Sequence, residues 1–468
     1  MTQKNETLRL LVALAITGSI VGGGFWWFAN RKSGNNDVPI AATQTVSSGD
    51  RISRGERILL PSETQNDEAT QLKQAGVNMM AGSQYAQAAA MFEAALQKAP
   101  NAPETLIYLN NARIGNRKAY TIAASVPVKT DLAGSAEILR GVAQAQNAIN
   151  NAGGIQSVPL KVAIATDDND PQIARQLASA FVQDANILGV VGHYASDVSL
   201  AASNVYNDGG LVMISPISTT VKLSGAGKYI FRTVPSDYIA ARALADYATR
   251  SLQQKNIAVF FNSRSGYSVS LKNEFSTAVS LAGGQISNEA DFSNPDFNAQ
   301  TTVKRFQQQG AKVFMLAANT GTLDQAMQVA QANQRQSILL GGDDVYAPKT
   351  LELGKEQADG MVVAVPWHLQ ANAQTAFVQD AQRLWKADVN WRSAIAYDAT
   401  QALIAGLQKN PTRNGIQQTL SSPDFSAPGA AQPVRFLASG DRNARIQLVK
   451  VAPGNRSGTG FDFIPIAN

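Results

Sequence analysis

Hydroxyl side chains follow two apolar runs of the chain, at points where a helix is predicted to begin. The stretch HYASDVS at 193–199 contains Ser196, and SPISTT at 215–220 contains Thr219. The start of a helix presents unpaired backbone N–H groups and the positive end of the helix dipole. Together with hydroxyl groups it forms an anion site suited to one carboxylate. The alternative is that Ser196, Asp197 and Thr219 only cap their own helices.

Further polar side chains follow three later apolar runs. Tyr267 lies in the loop after IAVFF, and Asn319 follows KVFMLAA. Asp343 and Asp344 follow the run SILLGG. A carboxylate at such a glycine-flanked strand end can bind an ammonium group through a charge-assisted hydrogen bond. The alternative is that these residues form a solvated turn or a helix cap.

Apolar runs alternate with helical patterns from Tyr120 onward. This alternation predicts parallel sheets with helices on both faces, and the length of 120–468 predicts two lobes. Ligands of parallel sheets bind beyond the carboxyl ends of the strands, which is where the polar residues above occur. The predicted strands are TIAASVPV, LKVAIAT, ILGVVG, LVMIS, IAVFF, KVFMLAA, SILLG and MVVAV.

The apolar segment at residues 8–29 is predicted to be a transmembrane helix that anchors the chain. Its sequence, LRLLVALAITGSIVGGGFWWFA, is interrupted only by Arg9 and is long enough to cross a bilayer. Trp26 and Trp27 stand at one end, where indole rings favour the membrane interface. The alternative is a cleaved secretory signal. Both interpretations place the rest of the chain outside the cytoplasm, after a polar linker at 30–65.

A short α-helical repeat unit is predicted over 66–115. Residues 72–100 place small and large side chains where a tetratricopeptide repeat packs its two helices, with Tyr85 and Phe92 filling the groove. The stretch PETLIYLNNARIG at 103–115 is typical of the first helix of a second repeat. Because about three repeats are needed to bury a continuous face, we expect this unit to lie on the following domain, a second copy or a protein partner. The alternative is a simple spacer.

Composition and motifs exclude several function classes. The net charge of the 468-residue chain is +5, and its cations are scattered without a basic run, so we expect no nucleic-acid partner. The sequence has no cysteine and only His193 and His368, which excludes thiol catalysis and makes both histidines structural hydrogen-bonding residues. TDDNDP at 166–171 lacks calcium-loop spacing and predicts a turn in which Pro171 opens the next helix. Nucleotide-binding and hydrolase motifs are absent, so we expect no enzyme, cofactor or metal.

Several motifs follow one another in order after residue 131: DLAGSAEILRGVAQAQNAINNAGGI, TDDNDP, VVGHYASDVSLAASNVY, LVMISPISTT, FRTVPSD, IAVFF with GYS, AGGQI and YDATQALI. This ordered set resembles the bacterial leucine/isoleucine/valine-type solute-binding proteins. The resemblance covers about 120–468 and implies the two-lobed type I periplasmic-binding fold. It places lobe 1 at about 120–235 and 368–432, and lobe 2 at about 236–367 and 433–468.

The resemblance also implies ligand contacts, and the sequence departs from the family pattern at three positions. Asn319 stands where binders of aliphatic amino acids often have an aromatic residue, and Asp343 is one methylene shorter than their usual glutamate. Asp197 brings a negative charge beside the expected carboxylate site. The ligand is therefore expected to be an amino acid, including a polar or larger one, or an amide. The implied contacts are Ser196, Ile217 and Thr219 for the carboxylate, Asp343 for the ammonium group, and Tyr267 and Asn319 along the pocket.

The function implied by the resemblance is binding of a small zwitterionic solute for an ABC-type permease. The protein would act at the periplasmic side of the bacterial inner membrane, or free in the periplasm if the N-terminal segment is cleaved. One alternative is a scaffold or regulator of an envelope complex, similar to the lipoprotein activators of peptidoglycan synthases. Another alternative is a sensor ectodomain. A polar pocket left open at Ser196, Thr219 and Asp343 would favour the binder, and a pocket filled by side chains would favour the scaffold.

Overall fold

The structure is a computed structural model that describes residues 48–61 and 67–466. The predicted anchor at 8–29 lies outside these residues, and the predicted linker at 30–65 is described only in part. No helix within the described ranges is both long and apolar enough to span a bilayer.

Six of the described strands form the first sheet: β1 (Ile52–Ser53), β2 (Tyr120–Val126), β3 (Leu160–Thr166), β4 (Ile187–Val191), β5 (Met213–Ser215) and β6 (Ile230–Arg232). Their order across the sheet is β1-β3-β2-β4-β5-β6. All neighbours are parallel except β1, which pairs antiparallel with β3 through Ile52 and Ala165. Strand β2 is buried from Thr121 to Val126, as expected for a strand covered on both faces.

The second sheet contains seven strands of the described chain: β7 (Asn256–Phe261), β8 (Gln285–Asp291), β9 (Val313–Ala317), β10 (Ile338–Gly341), β11 (Val362–Val365), β12 (Gln447–Pro453) and β13 (Phe461–Pro465). Their order is β13-β12-β11-β10-β9-β7-β8. Strands β7 to β11 are parallel, whereas β12 is antiparallel to both β11 and β13. The predicted two-lobed α/β fold with mostly parallel sheets is therefore confirmed.

The α-helices connect these strands and cover the sheets. In the N-terminal unit they are α1 (Asp67–Ala81), α2 (Tyr85–Lys98) and α3 (Pro103–Ile114). The first lobe continues with α4 (Leu132–Asn151), α5 (Pro171–Gln183) and α6 (Ser196–Asp208). Those between β6 and β11 are α7 (Asp237–Asp246), α8 (Gly266–Leu281), α9 (Ala299–Gln308), α10 (Leu323–Asn333) and α11 (Pro348–Ala358). After β11 come α12 (Ala376–Trp385), α13 (Trp391–Lys409) and α14 (Arg413–Leu420).

The eight predicted apolar runs form β2, β3, β4, β5, β7, β9, β10 and β11. The predicted turn at TDDNDP is confirmed as well, because α5 begins at Pro171 and the Asp170 side chain caps it. Five of the described strands were not predicted: β1, which lies within the predicted linker, and β6, β8, β12 and β13. Strand β8 has the polar sequence QISNEAD and alternates exposed with half-buried residues at a sheet edge. Its position in the sheet is set by pairing with β7, and its composition gives no strand signal.

The N-terminal helices lie on the first lobe, and α3 is the helix of this unit that packs directly against the lobe. Helix α3 packs against α4 and β3 and is buried along almost its whole length. Asn111 of α3 donates Nδ2 to the carbonyls of Arg54 and Val162, both at 2.8 Å, and accepts from Val162 N–H at 3.1 Å. Asn111 thereby pairs with the edge of β3 as a neighbouring strand would. These contacts fix α3 to the sheet, while the identification of the unit as a tetratricopeptide repeat stays a prediction.

Close helix packing holds α13, which lies between β11 and β12 in the chain, against α4 of the first lobe. Gly141 of α4 lies at the crossing, where an added Cβ would stand 2.1 Å from Ser393 O and 2.6 Å from Tyr397 N. The backbones of the two helices are therefore too close for any side chain at this position. This crossing places the N-terminus of α13 beside the space between the two sheets.

Candidate functional site

Both lobes contribute side chains to one cavity of about 240 Å³. The cavity lies beyond the carboxyl ends of strands from both sheets, where ligands of parallel sheets bind. Five of the six predicted site residues line it, and Thr219 does not. The lining residues are Thr130, Asn169, Tyr194, Ala195, Ser196, Asp197, Ile217, Ser265, Tyr267, Asn319, Thr320, Gly321, Asp343 and Asp344.

The first-lobe wall is built on the N-terminus of α6, which begins at Ser196 after the turn that follows β4. Two hydroxyls of the SPISTT stretch hold this turn. Ser215 Oγ donates to the carbonyl of His193 at 2.8 Å, and Ser218 Oγ donates to the carbonyl of Tyr194 at 3.0 Å. The N-cap position lies one residue before Ser196, so Ser196 does not cap α6. The free N–H groups of the helix and the Ser196 hydroxyl together can bind an anion.

Thr219 is buried behind this wall. Its carbonyl accepts a hydrogen bond from the N–H of Asp237 at 2.8 Å, where α7 begins. Burial raises the pKa of the Asp237 carboxyl to about 6, and the hydroxyls of Ser270 and Thr219 oppose that rise. Thr219 thus contacts the junction between the lobes, and Ile217, two residues earlier, lines the cavity.

The second-lobe wall contains a buried carboxyl group, that of Asp343, which follows β10. Tyr267, near the start of α8, donates its hydroxyl to Asp343 Oδ1 at 2.7 Å. Burial, together with the neighbouring Asp344 carboxylate, raises the pKa of Asp343 to about 7. A cation beside Asp343 would stabilise its ionised form, so this wall is suited to an ammonium group.

Asp344 already has a cationic partner, Arg392, which the sequence did not predict. Arg392 Nη2 lies 3.1 Å from Asp344 Oδ1, and the two side chains are 6% and 12% exposed. The other oxygen of Asp344 accepts the N–H of Thr320 at 3.2 Å, while Arg392 Nε donates to Tyr194 Oη at 3.0 Å. Arg392 is the second residue of α13, which packs on the first lobe, so this ion pair joins the two walls of the cavity. Asp343 is the neighbour of Asp344 in the chain. Among the described residues, no cationic side chain forms an ion pair with the Asp343 carboxyl.

Asp197 makes a further contact between the lobes. Its Oδ2 accepts the backbone N–H of Gly266, the first residue of α8, at 2.8 Å. The negative charge of Asp197 therefore lies at the positive end of a helix of the opposite lobe. The N–H of Val221 donates to Ser270 Oγ at 3.1 Å and joins the lobes at another point.

The amide of Asn319 is held at the carboxyl end of β9. Its Oδ1 accepts hydrogen bonds from Asn262 Nδ2 and Thr322 Oγ1, both at 2.9 Å. Gly321 lines the cavity beside it, and a Cβ at Gly321 would lie 3.4 Å from Asn319 Nδ2. The nitrogen side of the amide therefore lies at the cavity wall.

The two histidines lie outside the cavity lining. His193 is buried, with Nδ1 2.6 Å from Asp167 Oδ2 and Nε2 3.0 Å from Tyr206 Oη. Burial lowers the pKa of His368 to about 4, so its imidazole is neutral at physiological pH. Across residues 48–61 and 67–466, no cluster of three or more acidic or imidazole side chains could hold a metal ion.

Comparison with known proteins shows the family to which the chain belongs. The family model described as periplasmic binding protein matches residues 119–456. The chain belongs to this family. The match begins one residue before β2, so it includes both sheets from β2 to β12 and leaves out the N-terminal helices.

Several relatives of this chain have names that refer to amino acids, most of them aliphatic. The leucine-, isoleucine-, valine-, threonine- and alanine-binding protein of Pseudomonas aeruginosa is 24% identical over 293 residues, 62% of this chain and 78% of that protein. The leucine-specific-binding protein of Salmonella typhimurium is 25% identical over 313 residues, 64% of this chain and 82% of the relative. An ABC transporter substrate-binding protein from Desulfitobacterium hafniense in complex with Leu has a TM-score of 0.64 at 24% identity, covering 74% of this chain and 100% of that structure. At this identity the structural likeness shows the fold.

Proposed function

We propose that this protein binds a small zwitterionic solute, an amino acid, outside the cytoplasm and delivers it to an ABC-type permease. The observation that carries the proposal is the pairing of two unlike walls around one cavity. The N-terminus of α6 with Ser196 offers hydrogen-bond donors on the first lobe, and Asp343 offers a buried carboxyl on the second. A free amino acid carries the complementary groups, a carboxylate and an ammonium group attached to the same carbon.

Binding in this proposal is coupled to closure of the lobes. The Arg392–Asp344 ion pair and the hydrogen bond from Gly266 to Asp197 each join the two lobes at the edge of the cavity. A ligand that contacts both walls stabilises the conformation in which these contacts are made. Names of the relatives support an amino acid, and we propose attachment at the periplasmic side through residues 8–29.

The test is calorimetric titration of the purified full chain and of Asp343→Ala with the amino acids that raise its melting temperature. Removing one partner of a buried charge pair costs about 2 to 5 kcal/mol. Since about 1.4 kcal/mol corresponds to a tenfold change, Asp343→Ala should weaken binding roughly thirty-fold or more.

The matched control is Asp324→Ala, which removes an exposed carboxylate of the same lobe that pairs with Lys349. This variant should bind with the affinity of the natural protein. Unchanged affinity of a folded Asp343→Ala protein would contradict the role of Asp343 in binding an ammonium group.

A second candidate function is a scaffold or regulator of an envelope complex. The observation that favours it is the helical unit, which is fixed to the first lobe by α3 and which the family match does not include. A cavity left open between the lobes supports the binder instead. The scaffold becomes the better explanation if no amino acid, amide or urea changes the melting temperature.

A further inference from the structure

Asn319 is a polar residue of the cavity lining that takes no part in the proposed carboxylate and ammonium contacts. The orientation of its amide follows from an unambiguous donor. The backbone N–H of Arg264 donates to Asn262 Oδ1 at 3.0 Å, so the other end of the Asn262 amide is its nitrogen. That nitrogen donates to Asn319 Oδ1 at 2.9 Å, and the hydroxyl of Thr322 donates to the same oxygen. The nitrogen of Asn319 is therefore the end that remains for a ligand.

Asn319 Nδ2 lies where a ligand can reach it. Asn319 and Gly321 both line the cavity, and a Cβ at Gly321 would lie 3.4 Å from this nitrogen. Within the described part of the chain no acceptor takes a hydrogen bond from Nδ2. Ser265, the N-cap residue of α8 in the loop after the neighbouring strand β7, lines the same cavity, and its hydroxyl, which accepts the N–H of Ser268, still has a proton to donate. This wall therefore presents hydrogen-bond donors.

The charges around this wall restrict which acceptor fits. Asp344, which follows the neighbouring strand β10, is neutralised by Arg392. Asp197, one residue after Ser196, keeps a carboxylate at the cavity next to the start of α8. A second carboxylate on the ligand would bring a further negative charge into a cavity that Asp197 and Asp343 line, and no lysine or arginine is among its lining residues. A neutral acceptor would meet the donors without this repulsion.

We infer that the site selects amino acids whose side chain is neutral and carries a hydrogen-bond acceptor, an amide or a hydroxyl, over branched aliphatic ones. The inference rests on the proposed function and deepens it. A branched aliphatic side chain removes water from Asn319 Nδ2 and gives it no acceptor, and a buried donor left without a partner is costly. The preference should be about ten- to a hundred-fold, which corresponds to about 1.4 to 2.8 kcal/mol.

The experiment compares the affinities of glutamine, asparagine, serine, threonine, leucine, isoleucine, valine and glutamate for the full chain by calorimetric titration. It is repeated on Asn319→Leu, which keeps the approximate shape of the side chain and removes the donor. The matched control is Asn273→Leu, the same substitution on the exposed face of α8 in the same lobe.

We expect at least one amide or hydroxyl amino acid to bind ten-fold or more tightly than leucine, isoleucine and valine. Asn319→Leu should reduce that ratio at least ten-fold, and Asn273→Leu should leave it unchanged. Equal or tighter binding of leucine by the natural protein, or an unchanged ratio in Asn319→Leu, would overturn the inference and leave the proposed function standing. Binding of none of the eight amino acids would also overturn the inference, and the proposed function would be contradicted as well if no other amino acid raised the melting temperature.

Discussion

Replacing Asp343 by asparagine should stabilise the protein while it weakens ligand binding. The substitution keeps an oxygen that can accept the hydrogen bond from Tyr267 and removes a buried charge. In the folded protein the pKa of Asp343 is raised from 3.8 to about 7 by burial and by Asp344. Because the folded state holds the proton more tightly, wild-type stability falls as the pH rises from about 4 to about 7. Asp343→Asn has no carboxyl group at this position, so its stability does not fall in this way as the pH rises.

The magnitude follows from the difference between the folded and unfolded pKa values of Asp343. At 1.36 kcal/mol per pH unit, the rise from 3.8 to about 7 corresponds to roughly 4 kcal/mol above pH 7. Because Asp344 titrates together with Asp343, we expect a gain of about 2 to 4 kcal/mol for Asp343→Asn at pH 8. At pH 5 the folded protein is still protonated at this site, so the gain should shrink to roughly 1 to 2 kcal/mol.

The assay is urea unfolding of the full chain at pH 5 and pH 8 without added amino acid. The control is the adjacent substitution Asp344→Asn, which leaves the buried Arg392 guanidinium without its carboxylate partner. Breaking such a pair costs roughly 3 to 5 kcal/mol, and this loss opposes the gain from removing a carboxyl whose pKa burial also raises, so Asp344→Asn should be less stable than Asp343→Asn. If Asp343→Asn is less stable than the natural protein at pH 8, Asp343 is a structural hydrogen-bonding residue and the reasoning is wrong.

Two further predictions concern packing of the first lobe. Gly141→Ala should lower the free energy of unfolding by at least roughly 2 kcal/mol, because its Cβ would overlap the backbone at Ser393 and Tyr397; unchanged urea unfolding would show that α4 and α13 are not so close. Asn111→Leu should lower it by roughly 2 to 4 kcal/mol, because the N–H and carbonyl of Val162 lose their partner. Hydrogen exchange at Val162 as slow in Asn111→Leu as in the natural protein would contradict this role.

The candidate site shows which residues a sequence pattern can identify. Ser196, Tyr267, Asn319 and Asp343 were singled out because each follows an apolar run, and the carboxyl ends of parallel strands meet at one edge. Ile217 was implied by the family resemblance alone. All of them line the cavity. Thr219 satisfied the same rule, but the turn at 215–220 directs it behind the wall. The position of a residue after a strand predicts that its loop lies at the site. It does not predict whether the side chain points into the cavity.

The partners of the site residues could not be predicted in the same way. Arg392 pairs with Asp344 across 48 positions of the sequence, and Asn262 orients Asn319 across 57. Neither partner lies in a recognisable motif, and each is brought to the site by the packing of a different helix or loop. The charge on Asp343 and the direction of the Asn319 amide depend on these partners.

By itself, the sequence determined the eight apolar strands of this protein and their order along the chain. Runs such as TIAASVPV and KVFMLAA form strands because a strand covered on both faces needs apolar side chains on both, which is a local property of the sequence. The tertiary structure decided the contacts between elements, which the apolar character of single runs does not specify. It placed the polar edge strand β8 by pairing, fixed α3 to β3 through Asn111, and set Arg392 against Asp344. Those contacts join residues that are distant in the chain, so their energies arise only when the fold brings the partners together.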